Sequence, residues 1–193
     1  MALPDSWTET ALIEVSASGD TVGASTRYCA TTDTIDLDWG TKDIDWIANV
    51  CGGRIPTFTP ETATTVTLEL IPVGIVAPDG LSQIFIGNVT DSSEPISSTN
   101  SRTRYKCRVV VCWTEDTTMT DASADTADSK AALRFSFEDC YITGLTFSFT
   151  DDILKATATF SCPPFNKSGT GLITSEQTEG GAGDTLPDLG NYT

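Results

Sequence analysis

The stretch Ala131-Ala-Leu-Arg-Phe-Ser-Phe-Glu-Asp-Cys-Tyr-Ile-Thr-Gly-Leu-Thr-Phe-Ser-Phe-Thr-Asp-Asp-Ile-Leu-Lys-Ala-Thr-Ala-Thr-Phe-Ser-Cys-Pro-Pro-Phe165 decides the fold. Leu133, Phe135 and Phe137 fall on one side of an extended chain. So do Leu145, Phe147 and Phe149, with Thr146, Ser148 and Thr150 opposite. Leu154, Ala156, Ala158 and Phe160 then alternate with Lys155, Thr157, Thr159 and Ser161. Period two is the pattern of half-buried strands. Asp151-Asp152 is turn chemistry between two such runs. Pro163-Pro164 cannot donate to a ladder, so the last strand stops there. The reading is a three-strand antiparallel meander broken near Asp139. One side of it is packed by Phe135, Phe147, Phe149 and Phe160.

Working outward, the same alternation predicts strands at Ala11–Ala17, Thr34–Trp39 and Thr64–Pro72. Residues 21–33 are ambiguous. Residues 43–53 suit a weak helix or a short strand, and residues 56–60 read as an edge or loop crossing. A short strand over Gln83–Gly87 and a short helix near 122–129 are the remaining elements. This is a mainly β chain, an antiparallel β-sandwich or barrel with at most one short helix. The expected organisation is an N-terminal arm at 1–10 and a single β domain at 11–165. Long loops interrupt that domain near 73–104 and 114–130, and a C-terminal arm or tail follows at 166–193.

Composition narrows the chemistry. The 193 residues carry 27 acids against 11 bases, a net charge of -16. Self-repulsion on that scale argues against general binding to nucleic acid or anionic membrane. There is no histidine, which removes the commonest general base and metal ligand. The first residues lack the basic and apolar regions of a signal peptide. No run approaches the roughly 18 apolar residues of a membrane span. Six cysteines (Cys29, Cys51, Cys107, Cys112, Cys140 and Cys162) are scattered without a Cys-x-x-Cys pair. They read as small buried hydrophobes rather than a metal site or a disulfide framework. Three Asn-x-Ser/Thr matches begin at Asn88, Asn166 and Asn191 and read as chance. No cofactor is implied.

Two groups of charged residues are candidate functional sites. Arg102, Arg104, Lys106 and Arg108 alternate with Tyr105, Cys107, Val109 and Val111, which places four bases on one face of a strand. That face suits solvent, an intersubunit salt-bridge surface, or a phosphate-binding strip. Asp36 and Asp38, with Asp43 and Asp45 nearby, form the densest carboxylate group. Calcium binding and glycosidase chemistry are the functional readings. An acidic solvent or lumen face at Asp36 and Asp38 is the simpler one. No reaction can be built from these residues, and the chain is expected not to be an enzyme.

Residues 141–165, with the Lys155-Ala-Thr-Ala-Thr-Phe strand and its Pro-Pro-Phe exit, resemble the C-terminal hairpin of major tail (tail tube) proteins. These proteins belong to tailed bacteriophages and tailed archaeal viruses. Gly52-Gly53-Arg54, Phe58-Thr59-Pro60-Glu61 and the following strand resemble their N-terminal half. The resemblance covers about residues 34–72 and 131–169 and leans to the non-contractile, siphovirus-like type. It implies homohexameric rings stacked into a hollow tube, in contact with tape-measure and tail-completion proteins. It further implies a virion location after assembly in host cytoplasm, with DNA passing through the lumen without specific binding. The competing reading is a carbohydrate-binding or adhesion β-sandwich module that presents Trp39, Trp46 or Trp113.

Overall fold

The computed structural model describes residues 10–17, 26–58, 60–71, 106–119, 121–150 and 153–192. The described residues form nine strands: β1 (Thr10–Ala17), β2 (Thr26–Asp38), β3 (Ile44–Ala48), β4 (Arg54–Phe58), β5 (Thr64–Ile71), β6 (Cys107–Thr114), β7 (Ala131–Thr150), β8 (Ile153–Cys162) and β9 (Ile173–Glu179). No helix occurs among them. Residues 122–129, read as a possible short helix, are turns. The arm at 1–9, the loop at 73–104 and the strand at Gln83–Gly87 lie outside the described residues.

All pairings are antiparallel. The main sheet runs β6-β1-β2-β5-β8-β7-β9, and β6 also pairs with β7. Hydrogen bonding therefore returns to its start through β6, β1, β2, β5, β8 and β7. A sheet that curls into such a ring removes its own open edges. β3 and β4 form a separate two-stranded hairpin.

The opening stretch forms two strands, not three. β7 runs unbroken for 20 residues, pairing with β6 and β9 in its first half and with β8 in its second. The expected break near Asp139 is instead a β-bulge. Val109 pairs with Phe137 and Cys107 with Cys140, so β7 carries one extra residue there. Asp139 takes a φ of 55°, a conformation Asp tolerates better than most residues. A second register shift lies between Ile142 and Gly144 opposite Phe160 and Thr159. Each bulge changes which alternate residues face inward. Odd positions up to Phe137 give way to Cys140 and Ile142, and the parity then reverts.

The main core lies inside the ring. It contains Ile13, Val15, Val66, Leu68, Val109, Val111, Phe137, Ile142, Ala158 and Phe160, with Ile35, Leu37 and Phe135 packed against it. The expected packing holds for Phe160 and in part for Phe135. Phe147 and Phe149 are corrections, at 40% and 70% exposed. They stand on the distal half of β7, which among the described residues has only β8 beside it.

A second cluster lies on the outer side of the same strands: Val110, Cys112, Met119, Ala122, Ala132 and Leu186, with Leu12 and Leu189 against it. β6 is thus buried on both faces, which suits its near-continuous apolar run. Residues 166–193, read as an arm or tail, are folded back. β9 pairs with β7, and the segment after it packs on this outer cluster. Main-chain bonds fasten it to the 115–130 loop, from Thr126 N to Leu186 O and from Leu189 N to Ser123 O. The buried Glu14 holds that loop from β1, accepting from Ser123 N at 3.0 Å and Ser123 Oγ at 2.7 Å.

Candidate assembly surface

The β3–β4 hairpin is built by local chemistry. Asn49 Oδ1 accepts from Cys51 N and Gly53 N, and Gly52 takes a φ of 75°, so the chain reverses over residues 49–53. At its base, Thr41 N donates to Thr62 Oγ1 and Gly40 N to Thr64 Oγ1. Gly40 lies so close to the segment that leads into β5 that an added Cβ would sit 1.9 Å from Thr62 O. Only glycine fits there.

This hairpin keeps its apolar side chains in solvent. Ile44, Trp46, Ile47 and Ile55 are each more than half exposed, and Val50 is fully exposed at the turn. The register pairs Trp46 with Pro56 and Ile47 with Ile55, so adjacent pairs point to opposite faces. Both faces are therefore apolar. Residues 42–58 carry two acids (Asp43 and Asp45) and two bases (Lys42 and Arg54), a balanced segment in a chain of net charge -16. A large apolar area left uncovered on a projecting element marks an interaction surface. Trp46 was legible in the sequence as a candidate aromatic, whereas the strand was open beside a weak helix and the exposure of its apolar side chains was not foreseen.

The four basic candidates separate. Arg102 and Arg104 lie outside the described residues. Lys106 is exposed and pairs with Asp139 at 2.7 Å, and that hydrogen bond raises its pKa. Arg108 is 2% exposed and is no part of a solvated ribbon. Its Nη1 donates to Gly190 O at 3.0 Å, and its guanidinium lies 5.7 Å from the Tyr192 ring centre. The alternation along β6 was read correctly, but the chain's own C-terminal segment covers the basic face at Arg108. Tyr192 in turn donates to Asp139 Oδ1 at 3.0 Å, and burial followed by that contact pushes its hydroxyl pKa up.

Asp36 and Asp38 are both exposed on β2, opposite Thr67 and Thr65 of β5. Beyond β5, these two threonines face Thr159 and Ser161 of β8. The outer face here is short-chained and rich in hydroxyls. Its long charged residues, Lys155 and Glu69, pair with each other at 2.8 Å. Among the described residues no group of three or more acidic or thiol side chains is placed to hold a metal ion. The aromatic candidates differ in setting. Trp39 is about half exposed but packs against the rings of Phe135 and Phe137, and Trp113 packs against Phe135. Trp46 alone stands clear on the hairpin.

No protein-family model and no curated protein matches the sequence. Solved structures with a similar course of chain include the sheath/tube terminator of PVC, an extracellular contractile injection system, in its extended state. That match has 12% identity, covers 91% of this chain and 97% of the other, and has a TM-score of 0.47. The tube-terminating cap of the anti-feeding prophage matches at 10% identity over 92% of this chain and 93% of the other, with a TM-score of 0.47. An Hcp protein matches at 12% identity over 89% of this chain and 100% of the other, with a TM-score of 0.38.

Proposed function

We propose that this chain is a structural subunit that assembles with copies of itself into stacked rings forming a hollow tail tube for the delivery of viral DNA. The observation that carries this reading is the β3–β4 hairpin, apolar on both faces, exposed, and balanced in charge. Copies of so acidic a chain repel one another except where a neutral apolar element joins them. The sequence resemblance of residues 34–72 and 131–169 to tail tube proteins supports the same reading, and the first of these segments contains the hairpin. Arg102 and Arg104, with the exposed Lys106, supply the basic side of an intersubunit contact. Asp36, Asp38 and the hydroxyl-rich face of β2, β5 and β8 line the lumen, where carboxylates repel DNA phosphates.

Negative-stain microscopy of the concentrated protein tests the proposal, with hollow tubes or six-fold rings expected. Trp46→Asp and Arg104→Glu each reduce tube formation in the same assay. Tubes unchanged by Arg104→Glu would remove the basic contact from the scheme. A protein that stays monomeric across concentration and salt while binding a glycan through Trp46 is instead a carbohydrate-binding module.

A further inference from the structure

Three cysteines lie in one row across the barrel. Cys140 on β7 directly follows the Asp139 bulge. Its register partner on β6 is Cys107. On the other side, Tyr141 pairs with Ser161, which sets Cys162 at the end of β8 beside Cys140. All three are fully buried members of the main core. Cys140 and Cys162 are disulfide-bonded with Cα atoms 4.3 Å apart, while Cys107 is a free thiol that donates to Cys140 O at 3.4 Å. The reading of the cysteines as buried hydrophobes thus holds for Cys107 and Cys112 and is corrected for Cys140 and Cys162, which are bonded, and for Cys51, which is exposed at the turn of the β3–β4 hairpin. The reason for the bond is register: neighbouring strands bring residues 22 apart in sequence face to face.

We infer that Cys140 and Cys162 form a redox staple that locks the bulged centre of β7 to the exit of β8, with Cys107 held beside it as a non-reacting thiol. As a dithiol the pair packs as two small hydrophobes, so the chain folds under reducing conditions. A low-molecular-weight disulfide such as oxidised glutathione then closes the staple. One thiolate attacks a sulfur of that disulfide, forms a mixed disulfide and releases one glutathione thiolate. The second cysteine's thiolate attacks the protein sulfur and releases the other. The two protons lost from the cysteines end on the two glutathione thiols, so the protein is oxidised by two electrons and glutathione is reduced by two. All three thiols are buried in the folded chain, so the exchange takes place in transient openings of these strands. Cys107 stays a thiol because its Sγ is turned to Cys140 O while Cys140 and Cys162 face each other, and desolvation pushes the Cys107 thiol up to about 12. The closed staple is equally shielded from external reductant while the barrel is folded. This inference stands apart from tube assembly and concerns the single chain.

The test compares the fully reduced, refolded protein with the same protein after incubation with oxidised glutathione. Each is then alkylated under denaturing conditions and mapped by peptide mass. The expected result is one linked peptide pair, Cys140 to Cys162, with Cys107 and Cys112 alkylated in full. Closing the staple raises Tm by roughly 10 °C. Native oxidised protein resists a thiol reductant at least tenfold longer than the same protein in denaturant. Cys107→Ser leaves the linked pair in place, and Cys162→Ser removes the Tm gain. A Cys107–Cys140 link, Cys140 and Cys162 both freely alkylated after oxidation, or an unchanged Tm each overturns the inference.

Discussion

Arg134 and Glu176 are register partners on β7 and β9, and the Arg134 Nε lies 2.8 Å from Glu176 Oε2. The guanidinium is fully buried and also donates to Ala124 O at 2.9 Å and to Pro187 O. One side chain therefore ties together β9, the 115–130 loop and the C-terminal segment. Removing it strands a partly buried carboxylate and two carbonyls. Arg134→Ala should cost about 3 kcal/mol, read as a lower urea midpoint. Glu176 is about one-third exposed, so solvent screens its loss. Glu176→Gln should cost less, about 1 kcal/mol.

Phenylalanines of the same hairpin should behave oppositely. Phe160 is fully buried in the ring and Phe149 is 70% exposed. Phe160→Ala should lower stability by about 4 kcal/mol, whereas Phe149→Ala should change it by less than about 0.5 kcal/mol. Equal losses in a thermal melt would contradict the placement of Phe149.

The C-terminal segment should contribute to the fold rather than hang from it. Leu186 is 3% exposed within the outer cluster, and Leu186→Ala should cost about 3 kcal/mol. Limited proteolysis provides a second readout. Cleavage after β9 should be slow in the wild type and fast in the variant, because the covering segment opens more often.

Acid should loosen the 115–130 loop first. Asp116 accepts from Thr118 Oγ1 at 2.6 Å, from Ala127 N at 2.8 Å and from Thr118 N at 2.9 Å. The Thr118 hydroxyl contact leads in holding its carboxyl below the ordinary value, followed by the Ala127 amide. A carboxyl more acidic folded than unfolded stabilises the fold above its unfolded pKa. That contribution is lost as pH falls through its folded value. Asp116→Asn should therefore lose about 1–2 kcal/mol at neutral pH. The gap to wild type should shrink below about pH 4, as followed by urea midpoints across that range. A gap that widens on acidification would refute the assignment.

The hairpin should separate folding from association. Trp46→Asp and Ile47→Asp alter side chains already in solvent, so stability should stay within about 0.5 kcal/mol. Sedimentation velocity should show less self-association for both than for wild type. Gly40→Ala tests the base instead. Its Cβ cannot fit beside Thr62 O, so this change should cost more than about 1 kcal/mol.

Alternation of apolar and polar residues was enough to place β1, β5, β8 and the outer part of β2, because period two is a property of neighbouring residues. The Pro163-Pro164 stop and the two faces of β6 were legible for the same local reason. The candidate surface was legible in part. Exposed Asp36 and Asp38 follow from alternation, and the apolar hairpin sequence is plain, though its strand character was open.

Only the tertiary structure decided what covers each face. Arg108 alternates as a surface base would, yet a segment more than 80 residues later in sequence buries it. Phe147 and Phe149 alternate as core residues would, yet β7 outruns the strands that could cover them. The bulges at Asp139 and Thr143 made one strand of an expected two. Register across β7 and β8 turned two scattered cysteines into a bonded pair. Local pattern determines which side chains share a face, whereas long-range contacts determine whether that face meets solvent, a core or its own chain.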